Sequence, residues 1–221
     1  MGAMSRKRTA ILISGRGSNM VALVEASAAD AFPAEIVLVL SNVPGAPGLA
    51  KAAAAGIQTK SIDHKAFEYR PQFEAAVQAE LDTAGVELVC LAGFMRLLTD
   101  EFVTAWHNRM INIHPSLLPS YKGLDTHRRV IRDGGRMTGC TVHYVRSQMD
   151  QGPIIAQAAV PVHADDTDER LAARVLQAEH ALYPMALEMV ANGTVRVAGE
   201  KVRFEGKDLE QAALLSPAKS Q

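Results

Sequence analysis

The sequence has few cysteines, few aromatic residues and no excess of charge of either sign. Its 221 residues include two cysteines, and aromatic residues make up 5% of the chain. Two cysteines are too few for the disulfide framework of a small secreted domain. The formal net charge of −1 gives no sign of the broad basic surface that binds nucleic acids or anionic membranes. We therefore expect neither a nucleic-acid partner nor a membrane partner.

Long apolar segments are also missing. No apolar run approaches the roughly 20 residues that a membrane helix needs. The stretch AILI that follows the basic amino-terminal residues is too short for the core of a signal peptide. Arg6 stands where an N-myristoylation motif requires Ser or Thr. We expect a cytoplasmic protein with Cys90 and Cys140 as buried free thiols.

The apolar strands are connected in different ways in the two halves of the chain. Up to residue 114 they alternate with helical patterns, which predicts a parallel sheet covered on both faces. Later, GCTVHYV and GPIIAQAAVPV are joined by the short loop RSQMDQ, so these two strands must be antiparallel. We predict an α/β fold: a Rossmann-like three-layer sandwich with about seven strands, parallel in its N-terminal half and mixed or antiparallel in its C-terminal half.

The C-terminal part predicts one long helix followed by a hairpin. The helix is expected from Asp166 to Asn192, with Asp166 and Glu169 as a capping box and a kink at Pro184. The hairpin is TVRVAGEKVRF. A single domain is expected over residues 8–205, with flexible termini at 1–7 and 206–221. Residues 1–4, MGAM, are consistent with a cloning remnant and play no part in the fold prediction.

A glycine-rich loop, SGRGSN, follows the first strand. Its glycines allow backbone N–H groups to face a ligand, and the next helix N-terminus favours an anion. Gly15 and Gly17 match part of a dinucleotide fingerprint, but Met20 occupies the third glycine position. The acidic residue expected after the second strand is also missing. The pattern favours the phosphate of a smaller molecule over NAD(P) or ATP, and a plain tight turn remains the alternative.

A second candidate site lies in MINIHPSLLP. Strand alternation places Asn112 and His114 on one face, and Pro115 and Pro119 restrict the backbone after them. Asn offers a neutral N–H donor, and His suits acid–base catalysis near neutral pH. Asp150, in the turn QMDQGP, is the best candidate carboxylate to hold the imidazole. The three residues suggest acyl or one-carbon transfer through a tetrahedral intermediate, and a hydrogen-bonded core pair is the alternative.

Other polar residues give weaker signals. Asp125 and Asp133 stand where a helix would start and end, and we expect both to be solvated. The histidines lack the spacing of a metal site, so His127 and His143 are interpreted as surface or core residues and no metal is expected. No Ser or Cys occupies a nucleophile elbow.

Five motifs together resemble a known enzyme family. SGRGSN, LAGFMRLL, NIHPSLLP, MDQGPI and EHALYP occur in the order and spacing of phosphoribosylglycinamide formyltransferase, over about residues 8–195. The resemblance implies transfer of the formyl group of 10-formyltetrahydrofolate to the amine of glycinamide ribonucleotide, a step of purine biosynthesis. Both small molecules are the implied partners, and the chain is expected to act as a monomer or homodimer.

The resemblance also implies roles for individual residues. Asn112 would donate to the oxyanion, His114 would transfer a proton, and Asp150 would support His114. The residues implied for the ribonucleotide are Gly17, Ser18, Asn19 and Glu179. The residues implied for the folate are Arg70, Met95, Arg96, Leu97, Leu98, Asn112, Arg146, Met149 and Asp150.

For three of these residues the pattern alone favours another interpretation. Glu179 by itself is typical of a solvated helix charge, and Met95 and Leu97 are typical of the core. A role for Lys122 in anion binding stays open.

Other functions remain as alternatives. A methionyl-tRNA formyltransferase or a formyltetrahydrofolate hydrolase would use the same Asn, His and Asp, but each usually carries an additional domain. A non-catalytic phosphate-binding module would use SGRGSN alone, with NIHP as a structural segment.

Overall fold

The computed structural model describes residues 6–205 and Ser216. The expectations about residues 1–5 and most of the tail after 205 lie outside this part of the chain. The helices are α1 Ser18–Ser27, α2 Pro47–Ala54, α3 Arg70–Thr83, α4 Asp100–Ala105, α5 Thr126–Arg132 and α6 Asp168–Ala191, with a 3-10 turn at His64–Ala66. The strands are β1 Lys7–Ile13, β2 Ala34–Ser41, β3 Thr59–Ser61, β4 Leu88–Leu91, β5 Met110–His114, β6 Met137–Tyr144, β7 Ile154–Pro161, β8 Val195–Ala198 and β9 Lys201–Phe204.

Seven strands form one sheet in the order β3-β2-β1-β4-β5-β6-β7. The pairs from β3 to β5 are parallel, whereas β5 with β6 and β6 with β7 are antiparallel. The sheet therefore confirms the predicted change from parallel to antiparallel pairing. The change occurs because the short β6–β7 connection leaves no length for a crossover helix. The predicted terminal hairpin is also confirmed, as a separate sheet of β8 and β9.

Two apolar clusters cover the two faces of the large sheet. On β1, Ile11 and Ile13 join the cluster that includes residues of α1, α2, α5 and α6. Ala10 and Leu12 join the other, which includes residues of α3 and α4. All four side chains are fully buried. Successive side chains of β1 thus alternate between the two clusters, and both faces of the strand are buried. This pattern confirms the three-layer architecture.

The long helix α6 differs from expectation at its start. It begins at Asp168, and Thr167 is the N-cap, whose side chain accepts a hydrogen bond from the Arg170 N–H. The predicted capping box of Asp166 and Glu169 is wrong, because the Asp166 carboxylate accepts from the His163 N–H and pairs with Arg174 instead. The helix runs through Pro184 without interruption, and the expected kink stays a prediction.

Candidate active site

The candidate residues meet where the strand order of the sheet reverses. β1 lies between β2 and β4. After β1 the chain adds β2 and β3 on one side of this strand, and from β4 onward it adds strands on the other side. Helices depart in opposite senses at such a point, which opens a crevice beyond the strand ends. The loop after β1 carries SGRGSN, the loop after β4 carries FMRLL, and His114 ends the neighbouring strand β5. Three motifs far apart in sequence therefore border one crevice.

The glycine loop is shaped by close backbone packing. Gly17 is the N-cap of α1 with φ 66°, a left-handed conformation that glycine adopts at little cost. Gly48, at the start of α2, donates its N–H to the Gly15 carbonyl over 3.0 Å. A Cβ atom on Gly48 would lie 2.5 Å from Ile13 Cδ1 and 3.3 Å from Gly17 Cα. Only a glycine at position 48 lets α2 pack this closely against the glycine loop. In this packing the first N–H groups of α1 face the crevice.

Glu179 from α6 meets Asn19 at the same loop. The Asn19 Nδ2 group donates to Glu179 Oε2 over 2.7 Å. Glu179 is 7% exposed, and burial raises the pKa of its carboxyl although the Asn19 hydrogen bond opposes the shift. The interpretation of Glu179 as a solvated charge is wrong. One turn later, the buried Tyr183 hydroxyl lies 3.0 Å from the Leu91 carbonyl and 3.2 Å from that of Ile111, which anchors α6 to the sheet.

Ser14 joins the glycine loop to the loop after β4. Its N–H donates to the Gly93 carbonyl over 3.1 Å. Its hydroxyl accepts from the Met95 N–H over 2.8 Å and donates to Asn42 Oδ1. Because Asn42 is buried, this hydroxyl has a fixed direction. The two loops are therefore positioned relative to each other by one serine.

His114 and Asp150 form a buried pair next to this crevice. His114 Nδ1 lies 3.5 Å from Asp150 Oδ2, and both side chains are less than a tenth exposed. The Tyr121 carbonyl lies 3.0 Å from His114 Nε2, and because a carbonyl can only accept, Nε2 carries a proton. The Gly123 N–H donates to Asp150 Oδ2 over 2.8 Å. Oxygen atoms of Tyr121 and Asp150 therefore face the two ring nitrogens of His114.

A second histidine orients Asn112. His143 lies opposite Asn112 in the antiparallel register, and its Nε2 is 3.3 Å from Asn112 Nδ2. The other ring nitrogen, Nδ1, donates to the Tyr144 carbonyl over 2.9 Å. Burial lowers the pKa of His143, so the ring is neutral and its Nε2 accepts. One N–H of the Asn112 side-chain amide therefore donates to His143, and the second is available for another acceptor.

The polar turn after β5 is held from behind. Thr141 pairs with His114 in the sheet register, and its hydroxyl donates to the Ser116 carbonyl over 2.7 Å. The same hydroxyl oxygen accepts from the Leu118 N–H over 3.0 Å. Gln157 donates to the Leu118 carbonyl and to the Thr141 hydroxyl. The restricted turn that the two prolines predict therefore has a buried hydrogen-bonded support.

The residues expected at the folate lie on four segments: the start of α3, the loop after β4, strand β5 with Asn112, and the loop before β7. Met95 and Leu97 are 69% and 61% exposed, so their interpretation as core residues is wrong. Met149 is 52% exposed, and its methyl group lies beside Gly123. Leu98, by contrast, packs partly against the cluster with α3 and α4.

The three arginines expected at the folate have different surroundings. Arg70 is exposed at the first position of α3 and forms no side-chain hydrogen bond or ion pair with a described residue. Arg96 has a buried Nε without a partner among the described atoms. Arg146 binds Glu200 of the terminal hairpin and Asn108 before β5. The Arg146 guanidinium is thus held by these two residues rather than by those around His114.

Sequence reasoning missed several groups of this site. The interpretation of His143 as a surface or core residue did not foresee its contact with Asn112. Ser14 was seen only as part of the glycine loop, and the backbone groups of Tyr121 and Gly123 were not foreseen. The signal for His143 was the pairing of MINIH with GCTVHYV, but the register of that pair is not written in the sequence. Asp125 and Asp133 are confirmed as exposed residues at the two ends of α5.

The described residues contain neither a cluster of metal ligands nor a membrane-spanning helix. In residues 6–205 and Ser216, no three His, Cys, Asp or Glu side chains lie close enough together to hold a metal ion. No described helix has the length and apolar character to cross a membrane. Cys90 and Cys140 are free and buried, as expected.

Comparison with known proteins agrees with the geometry. The family model described as formyl transferase matches residues 7–187. The phosphoribosylglycinamide formyltransferase of Escherichia coli K12 is 39% identical over 199 residues, which are 90% of this chain and 94% of that protein. The crystal structure of phosphoribosylglycinamide formyltransferase from Brucella melitensis superposes with a TM-score of 0.82 at 52% identity. That superposition covers 88% of this chain and 100% of the other.

A longer relative is similar over part of its length. The trifunctional purine biosynthetic protein adenosine-3 of Gallus gallus is 50% identical over 193 residues, which are 87% of this chain. The chain spans 19% of that protein, so it corresponds to one segment of the trifunctional relative. The family match spans most of the chain, and the E. coli relative is matched over nearly all of its length. The chain therefore belongs to the formyl transferase family, in which it groups with the phosphoribosylglycinamide formyltransferases.

Proposed function

We propose that the chain is a phosphoribosylglycinamide formyltransferase. It transfers the formyl group of 10-formyltetrahydrofolate to the amino group of N1-(5-phospho-D-ribosyl)glycinamide. The products are formylglycinamide ribonucleotide and tetrahydrofolate, in purine biosynthesis. The observation that carries the proposal is the meeting of Asn112, His114 and Asp150 at one strand end, with a neutral His143 that orients the Asn112 amide.

The reaction needs a donor for a developing oxyanion and a group that moves protons. The substrate amine forms a bond to the formyl carbon, and the carbonyl electron pair moves to oxygen. The free Asn112 N–H donates to that oxygen, because the other N–H is held by His143. The bond from carbon to the folate nitrogen then breaks. The departing nitrogen gains a proton from His114, and the amine loses one toward Asp150 through water.

The acceptor site is proposed at the glycine loop. Gly17, Ser18 and Asn19 bind the ribonucleotide phosphate, because the first N–H groups of α1 lack helical partners. Glu179 binds the ribose hydroxyls with the carboxylate oxygen that Asn19 leaves free. The buried Asn19 Oδ1 has no partner among the described atoms, which supports a ligand at this position.

The folate site is proposed on the start of α3, the loop after β4 and the loop before β7, together with Asn112 and Asp150. The exposed side chains of Met95, Leu97 and Met149 offer an apolar surface of the kind that binds a flat ring system. Leu98 and Arg96 complete the segment after β4, and Arg70 reaches the folate carboxylates. Arg146 is proposed to act through its backbone, since its guanidinium is bound by Glu200 and Asn108.

Three broader proposals accompany this function. Residues 8–205 form a single formyltransferase domain, which is supported by the continuous sheet from β1 to β7. The protein is cytoplasmic, which is supported by two buried thiols that remain unpaired. It works as a monomer or homodimer.

The test is a spectrophotometric assay of the deformylated folate product. Purified protein is mixed with 10-formyltetrahydrofolate, with and without glycinamide ribonucleotide. We expect product only with the acceptor. Product at the same rate without acceptor would identify a hydrolase, and formylation of methionyl-tRNA alone would identify the tRNA enzyme. Binding of the ribonucleotide without any turnover would identify a phosphate-binding module.

A further inference from the structure

We propose that Arg129 is a positioning residue for the catalytic pair His114 and Asp150. This inference rests on the proposed formyl transfer and adds a residue to it. Arg129 lies on α5, and its side chain points back to the segment of residues 119–125 that precedes this helix. We call this segment the pre-α5 loop.

Arg129 holds the pre-α5 loop by three contacts. Its Nη1 donates to the Lys122 carbonyl over 2.6 Å and to the Leu124 carbonyl over 3.2 Å. Its guanidinium carbon lies 5.4 Å from the centre of the Tyr121 ring. These contacts join one side chain to residues 121, 122 and 124. A planar guanidinium can bind the two carbonyls while its flat face lies over the ring, whereas a lysine ammonium has no planar face to stack.

The backbone of the pre-α5 loop needs such support. Tyr121 has φ 54° and Asp125 has φ 55°, both in the left-handed region that non-glycine residues rarely adopt. Gly123, between them, has φ 77°. A segment in this conformation is held by contacts outside itself rather than by its own preference. The contacts of Arg129 with residues on both sides of Gly123 supply that restraint.

Two backbone groups of this loop touch the catalytic pair. The Tyr121 carbonyl lies 3.0 Å from His114 Nε2, and the Gly123 N–H donates to Asp150 Oδ2 over 2.8 Å. The carbonyl accepts from the imidazole N–H of His114, and the loop N–H donates to the carboxylate of Asp150. Among the described residues, Arg129 makes no hydrogen bond or ion pair with His114 or Asp150. It acts through the two peptide groups that place and polarise His114 and Asp150.

The matched control is the neighbouring Arg128. That side chain is exposed and pairs with Asp168 on α6, without a hydrogen bond to the pre-α5 loop. Arg129→Gln and Arg128→Gln remove the same charge from the same helix. We would measure kcat, the KM for glycinamide ribonucleotide and the melting temperature of both variants and of the wild type.

We expect Arg129→Gln to lower kcat about 10- to 100-fold, because small displacements of catalytic groups have effects of this size. The KM for the ribonucleotide should stay within about twofold, since the acceptor site is built from α1 and α6. Arg129→Lys should lie between the wild type and Arg129→Gln. Millimolar guanidinium should restore part of the kcat of Arg129→Ala and none of that of His114→Ala.

A kcat of Arg129→Gln within twofold of that of Arg128→Gln would overturn the inference. So would a lowered kcat that guanidinium leaves unchanged in Arg129→Ala while the melting temperature also falls, because that result is a loss of folding. If the wild type makes no product with the acceptor present, the proposed function itself fails. Wild-type turnover with an unaffected Arg129→Gln contradicts the role of Arg129 alone.

Discussion

The Asn19 amide donates to the Glu179 carboxylate over 2.7 Å, across 160 residues of sequence. The bond joins the loop after the first strand to the middle of the last long helix. It leaves a buried carboxylate with one hydrogen bond at the edge of the crevice. A carboxylate in that setting destabilises the folded chain unless a ligand supplies further donors. The buried carboxylate of Glu179 should therefore lower the stability of the folded chain and strengthen the binding of the acceptor.

Glu179→Gln should weaken acceptor binding and stabilise the fold. Hydrogen bonds to a charged group contribute roughly 1.5–3 kcal/mol. We therefore expect the KM for glycinamide ribonucleotide to rise by roughly 10-fold to 150-fold. Burial raises the pKa of Glu179, so the wild type loses stability as the pH rises from 4.5 through the raised pKa. At neutral pH the variant, which carries no charge there, should melt at a higher temperature than the wild type.

The control for this variant is Glu188→Gln, an exposed residue on the same helix. It should change neither the KM nor the melting temperature beyond the error of measurement. An unchanged KM in Glu179→Gln would contradict the placement of the ribose at this carboxylate.

His114→Asn and Asp150→Asn should each remove most of the turnover. Acid–base catalysis by a positioned side chain contributes roughly 10²–10⁴-fold, and we expect kcat to fall by that factor. Asp133→Asn is the matched control, because Asp133 is an exposed acid that pairs with Arg132 at the end of α5. Steady-state rates with saturating acceptor make the comparison. Turnover within tenfold of the wild type in His114→Asn would show that another group moves the proton.

His143 should make the stability of the protein depend on pH. Burial lowers the pKa of His143 below 6.5, so the folded chain resists a proton that the unfolded chain accepts. Stability should fall as the pH drops below 6.5, with a slope of up to about 1.4 kcal/mol per pH unit from this group. His143→Asn should lose that part of the slope in urea unfolding between pH 5 and 7.

The exposed His107 provides the comparison for this measurement. His107→Asn should keep the wild-type slope. If His143→Asn and His107→Asn show equal slopes, folding does not lower the pKa of His143. The buried neutral ring that is proposed to orient the Asn112 amide would then lose its support.

Gly48→Ala should damage the glycine loop, whereas Gly15→Ala should not. The added methyl group at Gly48 would meet Ile13 Cδ1 at 2.5 Å and the Gly15 carbonyl oxygen at 3.0 Å, while a Cβ on Gly15 has open space. Overpacking of this kind costs roughly 1–3 kcal/mol. Chemical denaturation and the KM for the ribonucleotide check both effects. Equal values in the two variants would mean that α2 does not shape the loop.

Local patterns were enough for the elements and their class. The doubly buried strands, the short RSQMDQ connection and the long helical pattern each depend on neighbouring residues, and all three predictions are confirmed. The shared strand face of Asn112 and His114 and the turn that carries Asp150 were also predictable, because strand alternation and turn residues act over a few positions. The start of α6 was placed incorrectly, since Asp166 and Thr167 are both good caps. Arg174, eight residues further along the chain, pairs with the carboxylate of Asp166.

The sequence by itself determined the fold class, the two motif loops and the residue types of the candidate site. Tertiary structure decided which of these residues meet. The bond of Asn19 to Glu179 depends on the docking of α6, and the pairing of Asn112 with His143 depends on strand register. The hydrogen bonds of Arg129 to the pre-α5 loop depend on the left-handed backbone conformation of residues in that loop. Such contacts join groups that are distant in sequence or set by backbone geometry, and neither periodicity nor composition encodes them.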